Sequence, residues 1–116
     1  MVTDEERQAA DAARARLERL ARPLLERPGI SWGRMFSTVG LGIRGKIFAV
    51  VPNAGAIMVK VPEARADALV AEGAAERMVM RGRALREWVV MPDAASDAAW
   101  SALLEEGCAY LDEITP

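Results

Sequence analysis

Few residues of this chain are of the types that perform covalent or acid–base chemistry. Its 116 residues include no histidine and one cysteine, Cys108. The lack of imidazole excludes histidine-based catalytic triads and Cys/His zinc sites, and a single cysteine excludes a disulfide within the chain. Cys108 falls on the apolar stripe of a predicted helix, where a free thiol usually packs as a small hydrophobe with a raised pKa. We therefore expect no enzyme, no catalytic residue and no cofactor.

Two patterns resemble ligand sites but fit them poorly. The spacing of Gly40, Gly42 and Gly45 matches neither the dinucleotide fingerprint nor a Walker motif, so we interpret them as turn glycines between short strands. Glu105 and Asp112 lie two turns apart on one side of the last predicted helix. Carboxylates along a helix do not converge on one point, as a hard cation requires. We expect a solvated acidic helix face and no metal site.

The charged residues are segregated along the chain. Residues 30–62 hold four basic residues and no acid, whereas residues 92–116 hold six acids and no base. A basic sheet surface would bind phosphate, nucleic acid or an acidic partner. Alternatively, these charges protect strand edges and turns from aggregation and are neutralised by the acidic C-terminal helix. The sequence pI of about 5.2 weighs against a nucleic-acid module. The candidate anion- or partner-binding residues are Arg34, Lys46, Lys60, Arg81, Arg83 and Arg86.

Three helices are predicted from apolar periodicity and end signals. Thr3 and Glu6 have capping-box spacing, and the first helix should run from Thr3 to about Glu26, with Pro23 bending or breaking it. A short helix from Glu63 to about Glu72 should bury Ala66, Leu69 and Val70 and stop at Gly73. The last helix spans about Ser96 to Glu113. Its predicted buried stripe is Trp100, Leu103, Leu104, Cys108 and Leu111.

Between the helices the apolar period changes from 3.6 to 2, which is typical of strands. Residues 34–61 predict three antiparallel strands, with an apolar hairpin of Lys46–Val51 and Ala56–Val61 at the centre of the sheet. In the first of these, Ile47, Ala49 and Val51 should face one way and Lys46, Phe48 and Val50 the other. Two further strands, Arg77–Met80 and Leu85–Met91, follow the short helix. Trp88 and Trp100 should lie in the core, while Trp32, in a predicted loop over 29–33, could anchor a partner.

These elements predict an α+β fold of one domain over residues 1–116. About five antiparallel strands should carry the helices on one face, in the order α-β-β-β-α-β-β-α, with the N-terminal helix in 1–28 and the rest of the fold in 34–113. Hydrophobic residues are 52% and charged residues 28%, an ordinary globular balance. No apolar run has the length of a membrane span and the N-terminus is acidic, so we expect a cytoplasmic protein.

Residues 35–49, Met-Phe-Ser-Thr-Val-Gly-Leu-Gly-Ile-Arg-Gly-Lys-Ile-Phe-Ala, resemble the N-terminal domain of the TfoX/Sxy family. The likeness continues through Lys60-Val61-Pro62, Arg81-Gly82-Arg83 and Glu87-Trp88-Val89 to about Leu111, and Ser37 replaces the family's usual glycine. The resemblance implies a fold related to YjbR-like proteins. Full-length members of the family regulate natural competence together with a cyclic-AMP-dependent activator, and they carry a second, helical domain. The resemblance implies no catalytic residues. This chain ends at Pro116, so we expect a stand-alone version.

Three functions remain open at this level. The first is a non-enzymatic regulatory protein-interaction domain linked to transcription or competence. The second is direct nucleic-acid binding through the basic residues, and the third is a small-ligand pocket between sheet and helix. A protein partner, and a homodimer as a further alternative, fit the first function, and no membrane association is expected.

Overall fold

A computed structural model describes residues 3–35, 38–52 and 55–116 of the chain. Phe36 and Ser37 of the family pattern and Asn53 and Ala54 of the predicted turn lie outside these residues. The fold is α+β, as predicted, with one strand more than expected. In chain order the elements are α1 (Asp4–Leu25), β1 (Ile30–Met35), β2 (Thr38–Ile43), β3 (Lys46–Val50), β4 (Ile57–Lys60), α2 (Glu63–Ala71), β5 (Glu76–Met80), β6 (Arg83–Met91) and α3 (Asp97–Ile114).

Helix α1 begins and ends close to its predicted limits. The Thr3 hydroxyl accepts a hydrogen bond from the backbone N–H of Glu6 at 3.1 Å, which is the N-cap half of the predicted capping box. Pro23 does not break the helix, because it lies two residues from the C-terminal end and removes only one backbone hydrogen bond. The apolar periodicity that predicted this helix corresponds to its buried face, since Leu17, Ala21 and Leu24 are buried in the core.

The six strands form one antiparallel sheet in the order β1-β2-β3-β4-β6-β5. The β3–β4 hairpin lies at its centre, as predicted. The additional strand is β1, which the sequence placed partly in a loop. Residues from all six strands lie side by side in one row that faces the helices: Trp32, Leu41, Ala49, Val59, Val89 and Arg77.

The core lies between this face of the sheet and the three helices. Helix α3 packs over β3 and β4, α2 over β5 and β6, and α1 beside β1 and α3. Trp100 is fully buried, as predicted, whereas Trp88 is only partly buried and is not part of the core, contrary to expectation. Gly107 lets α3 approach the sheet, because a Cβ there would lie 2.6 Å from Val59 Cγ1. Val70 is 39% exposed, contrary to expectation. Ala66 and Leu69 define the buried side of α2, and Val70 lies at its margin, about 40° beyond Ala66 on the side away from Leu69.

The opposite sheet face shows why three glycines are close together in sequence. Val50 Cγ1 and Ile47 Cγ2 lie 2.5 and 2.7 Å from where a Cβ of Gly40 would be. Ile47 Cδ1 would lie 3.0 Å from a Cβ at Gly33 and 3.1 Å from a Cβ at Gly42. The predicted alternation in β3 is wrong at Ile47 and Phe48. The register shifts by one residue there, so Phe48 joins Ala49 in the core while Ile47 and Val50 face the other way.

Two Arg-Gly pairs make the tight turns of the sheet. Arg44 and Gly45 join β2 to β3 with φ of 47° and 84°, and Arg81 and Gly82 join β5 to β6 with φ of 52° and 76°. Positive φ at both central residues is the type I′ geometry of two-residue hairpins. The predicted basic loop at 81–83 is therefore a two-residue turn, and Arg83 already belongs to β6.

None of the described helices combines the length and the apolar character required to cross a membrane.

Candidate interaction surface

The sheet separates the six basic candidate residues into two places. Lys46 begins β3, Lys60 ends β4 and Arg86 lies on β6, and the strand register puts these three on neighbouring strands at the same end of the sheet. Arg81 and Arg83 continue from that end at the tip of the β5–β6 hairpin. Arg34 lies on edge strand β1, opposite Val39, at the other end of the sheet. The predicted basic surface therefore lacks Arg34.

Acidic groups partly neutralise the positive charge at this end of the sheet. Lys60 Nζ lies 3.8 Å from Glu87 Oε1. Arg44 Nη1 lies 3.0 Å from Asp112 Oδ1, and the same guanidinium donates to backbone carbonyls of the C-terminal residues. Within the described part of the chain, no ion pair involves the remaining candidates, which are Arg34, Lys46, Arg81, Arg83 and Arg86.

The acidic residues of α3 are not a simply solvated face, which corrects the expectation from sequence. Arg27 donates two hydrogen bonds to the carboxylate of Glu105, at 3.0 and 2.7 Å, and the pair raises the pKa of Arg27. Arg65 Nε donates to Glu106 at 2.6 Å, which raises the pKa of Arg65 in the same way. Arginines from several elements thus hold α3 in place. Among the described residues no group of three metal-ligating side chains converges.

Arg16 of α1 makes the densest polar contact between helices. Its Nε donates to Asp97 Oδ1 at 2.7 Å, and its Nη atoms donate to the backbone carbonyls of Asp93 and Ala95. The guanidinium lies 3.9 Å from the ring centroid of Trp100, whose indole N–H donates to Pro92. A planar guanidinium suits simultaneous hydrogen bonding and stacking. Arg16 therefore fixes α1 to the loop between β6 and α3.

Two side chains with reactive atoms are both held in their protonated forms. Burial raises the pKa of the Cys108 thiol, and the residue is 5% exposed. The Tyr110 hydroxyl donates to the carboxylate of Glu87, and this hydrogen bond raises the pKa of Tyr110 to about 12. A thiol and a phenol with raised pKa values stay protonated near neutral pH, and in that form they are poor nucleophiles and cannot accept a proton as general bases.

An exposed apolar patch lies where α1 meets the first two strands. Trp32 is 37% exposed and Val39 is 47% exposed, and the row of β1 and β2 places both on the helix-facing side. They line a cleft of about 340 Å³ together with Arg14, Leu17 and Glu18 of α1. Trp32 is therefore at the surface, as predicted, although it lies on a strand and not in a loop. Exposed aromatic side chains of this kind are common anchors of protein contacts.

The backbone beside this cleft also lacks a partner. Strand β1 is an edge of the sheet. The Arg44 N–H donates to the Gly29 carbonyl at 2.8 Å, and in an antiparallel pair every second residue is hydrogen-bonded to the neighbouring strand. The residues of β1 that bond to β2 are therefore Ser31, Gly33 and Met35. The carbonyl of Ile30 and the N–H and C=O groups of Trp32 and Arg34 therefore point away from the sheet. The Ile30 N–H donates to the Arg27 carbonyl at 3.3 Å, and over the described residues no other backbone group pairs with this edge. The cleft and the edge together form what we term the β1 surface: Arg14, Leu17, Glu18, the strand Ile30–Met35, and Val39.

The family model of the TfoX N-terminal domain matches residues 23–107. The chain belongs to this family. A search of curated proteins and a search of solved structures each found no match. The family segment includes every strand, α2 and most of α3 of this TfoX N-terminal domain. Most of α1, including Arg14, Arg16 and Glu18, lies before it.

Sequence reasoning identified Trp32 but missed the rest of the β1 surface. Val39 appeared only within the family pattern, and Arg14 and Glu18 were not among the candidate site residues. The sequence signal that could have indicated this surface was a tryptophan expected at the surface, in a segment that has neither proline nor lysine to protect a strand edge. That signal requires β1 to be recognised as a strand, and the glycines at 29 and 33 obscure it.

Proposed function

We propose that this TfoX N-terminal domain is a non-enzymatic protein-interaction domain in transcriptional regulation and that it contacts its partner through the β1 surface. The observation that carries the proposal is the exposed Trp32 beside an unpaired strand edge. Extended segments commonly bind such edges, because main-chain hydrogen bonds supply affinity and a neighbouring apolar cleft supplies specificity. The regulatory role is supported by the family, whose full-length members act in natural competence.

The non-enzymatic part of the proposal is supported by the protonation states. Cys108 is buried as a thiol and Tyr110 has a pKa of about 12, so neither is prepared to act near neutral pH. Turnover of a substrate that is abolished by Cys108→Ala or Tyr110→Phe in a folded variant would overturn this part.

A photo-crosslinking side chain at position 39 tests the contact. We expect irradiation of producing cells to join the domain covalently to another polypeptide, and Trp32→Glu to suppress the adduct. The control position is Val79 on the opposite edge strand β5, which is 57% exposed and lies far from the β1 surface along the sheet order. Absence of an adduct at position 39, or equal adducts at both positions, would contradict the proposal.

Nucleic-acid binding is a second candidate, favoured by the placement of Lys46 beside Lys60 and Arg86 at one end of the sheet. Its test is fluorescence anisotropy of labelled duplex DNA at low and high salt. Phosphate contacts predict binding that weakens steeply with salt and disappears in the variant Lys46→Glu/Arg86→Glu. Arg34→Glu, at the other end of the sheet, is the matched control. A loss of binding in Arg34→Glu alone, or no binding at low salt, would exclude this site.

A further inference from the structure

We infer that the partner at the β1 surface is a second copy of this chain, joined through antiparallel pairing of the two β1 strands about a two-fold axis at Trp32. The inference rests on the proposed function in using the same surface, and it adds the identity of the partner. Two-fold dimers are the commonest symmetric assemblies, and their interface must be complementary to itself.

The hydrogen-bonding pattern of β1 satisfies this requirement. When a two-fold axis relates two antiparallel edge strands, each residue faces one of the same parity, so Trp32 faces Trp32 of the second copy and Ile30 faces its Arg34. Trp32 and Arg34 direct both backbone groups outward, and Ile30 directs its carbonyl outward. The Trp32 pair can therefore exchange two N–H···O=C bonds, and each Arg34 N–H can donate to an Ile30 carbonyl. The sheets of the two copies would become continuous.

Strand β1 also has few of the features that keep edge strands apart, since Arg34 is its only charged residue. Its register with β2 is regular over all six residues, and it contains neither proline nor lysine. The other edge, β5, is protected in two ways: its register with β6 shifts between Arg77 and Val79, and its first two residues are charged. The molecule thus has one regular edge suited to pairing and one irregular edge.

The charges of α1 are complementary under the same axis. Arg14 and Glu18 both line the cleft at Trp32, so a two-fold rotation places Arg14 near Glu18 of the second copy, and the reverse. The cleft contacts the middle of α1, and the two α1 helices would run antiparallel beside the paired strands. Asp4, Glu5 and Glu6 in the first turn would then approach the end of α1 that carries Arg22. These contacts favour a second copy over an unrelated peptide.

A proline substitution at the edge tests the pairing with little effect on the monomer. The Arg34 N–H points away from β2, so Arg34→Pro removes an intermolecular donor and leaves the hydrogen bonds to β2 in place. In sedimentation equilibrium we expect twice the 12.6 kDa chain mass for the wild type and for the control Arg34→Ala, and the single mass for Arg34→Pro. Circular dichroism and the melting temperature establish that Arg34→Pro is folded.

A charge exchange on α1 gives a second test that leaves the strand unchanged. We expect Arg14→Glu to raise the dimer dissociation constant about fivefold or more, because it places like charges across the axis. The double variant Arg14→Glu/Glu18→Arg should restore the wild-type value. If Arg14→Glu leaves the dissociation constant unchanged, or the double variant does not restore it, Arg14 and Glu18 do not face each other across the axis and the proposed geometry is wrong.

The outcomes separate this inference from the proposed function. A wild-type protein that is monomeric up to about 200 µM, or a folded Arg34→Pro variant that still dimerises, overturns the β1 dimer. If position 39 then crosslinks to a different polypeptide, the domain remains a protein-interaction domain with another partner. If position 39 gives no adduct, the proposed function fails as well.

Discussion

Tyr110 is the only tyrosine of the chain and reports on a single hydrogen bond. Its hydroxyl donates to Glu87, which raises its pKa to about 12. Since the folded-state pKa exceeds the unfolded value of about 10, the bond stabilises the fold fully below pH 10, and this contribution is lost as pH rises through 12. In an ultraviolet absorbance titration we expect a midpoint near 12 for the wild type and nearer 10 for Glu87→Gln.

The matched control for this titration is Glu105→Gln, whose carboxylate pairs with Arg27 instead. It should leave the Tyr110 midpoint unchanged. A wild-type midpoint near 10 in the folded protein would contradict the hydrogen bond.

Gly40 and Gly33 offer a graded test of close packing on the sheet. A Cβ at Gly40 would lie 2.5 Å from Val50 Cγ1 and 2.8 Å from the backbone oxygen of Ala49, whereas a Cβ at Gly33 meets only Ile47 Cδ1 at 3.0 Å. The end of a flexible side chain can move away from an added Cβ, whereas a backbone atom held in the sheet cannot. We expect Gly40→Ala to lower the free energy of unfolding by ~1–3 kcal/mol and Gly33→Ala by clearly less. Urea denaturation measures both, and equal losses would contradict the packing.

At the scale of elements, the attachment of α1 depends on Arg16. Its side chain is 16% exposed, and its removal leaves the carbonyls of Asp93 and Ala95 without their donor. We expect Arg16→Leu to lower the free energy of unfolding by ~1–3 kcal/mol. The half-exposed Arg19, which donates only to Asp97, is the control, and Arg19→Leu should cost ~1 kcal/mol or less.

Urea denaturation followed by tryptophan fluorescence measures these losses, because Trp100 lies under the Arg16 guanidinium. If Arg16→Leu is as stable as Arg19→Leu, the arginine merely lies beside the loop and does not hold α1 to it.

The sequence predicted the elements better than their details. Helices α1, α2 and α3 were found because their apolar periodicity and end signals are local, and Thr3 and Ser96 do cap α1 and α3. Strand β1 was missed because Gly33 and the exposed Trp32 disrupt its alternation. The orientation of Phe48 was wrong because a one-residue bulge depends on the register with β2, which no local pattern encodes.

At the scale of the whole molecule, the candidate site depended on strand order, which the sequence did not determine. Arg34 and Lys46 are twelve residues apart in one basic block, yet they lie at opposite ends of the sheet. The acids of α3 were expected in solvent, and their arginine partners come from distant segments such as α1 and α2. Contacts over such separations follow from packing and not from composition.

Acid should unfold the molecule partly through Asp97, which joins α1 to α3. Hydrogen bonds from Arg19 and Arg16 lower the pKa of Asp97 below its usual value near 3.8. Because the folded-state pKa is the lower one, this contribution is present above pH 3.8 and is lost as pH falls through the folded pKa. We expect Asp97→Asn to lower the melting temperature at pH 7 and the difference to shrink towards pH 2.

The control for acid unfolding is Glu113→Gln, which makes no ion pair in the described structure and should change the melting temperature little at either pH. An Asp97→Asn difference that persists undiminished at pH 2 would show that packing, and not charge, is responsible.

The strand order also constrains how the chain folds during its synthesis. Strand β5 leaves the ribosome before β6, which is its only neighbour in the sheet, and β6 must then enter between β4 and β5. Helix α3, which covers β3 and β4, emerges only after all six strands. The nascent chain therefore exposes the apolar side of its central strands until α3 has emerged, a state open to aggregation and chaperone binding.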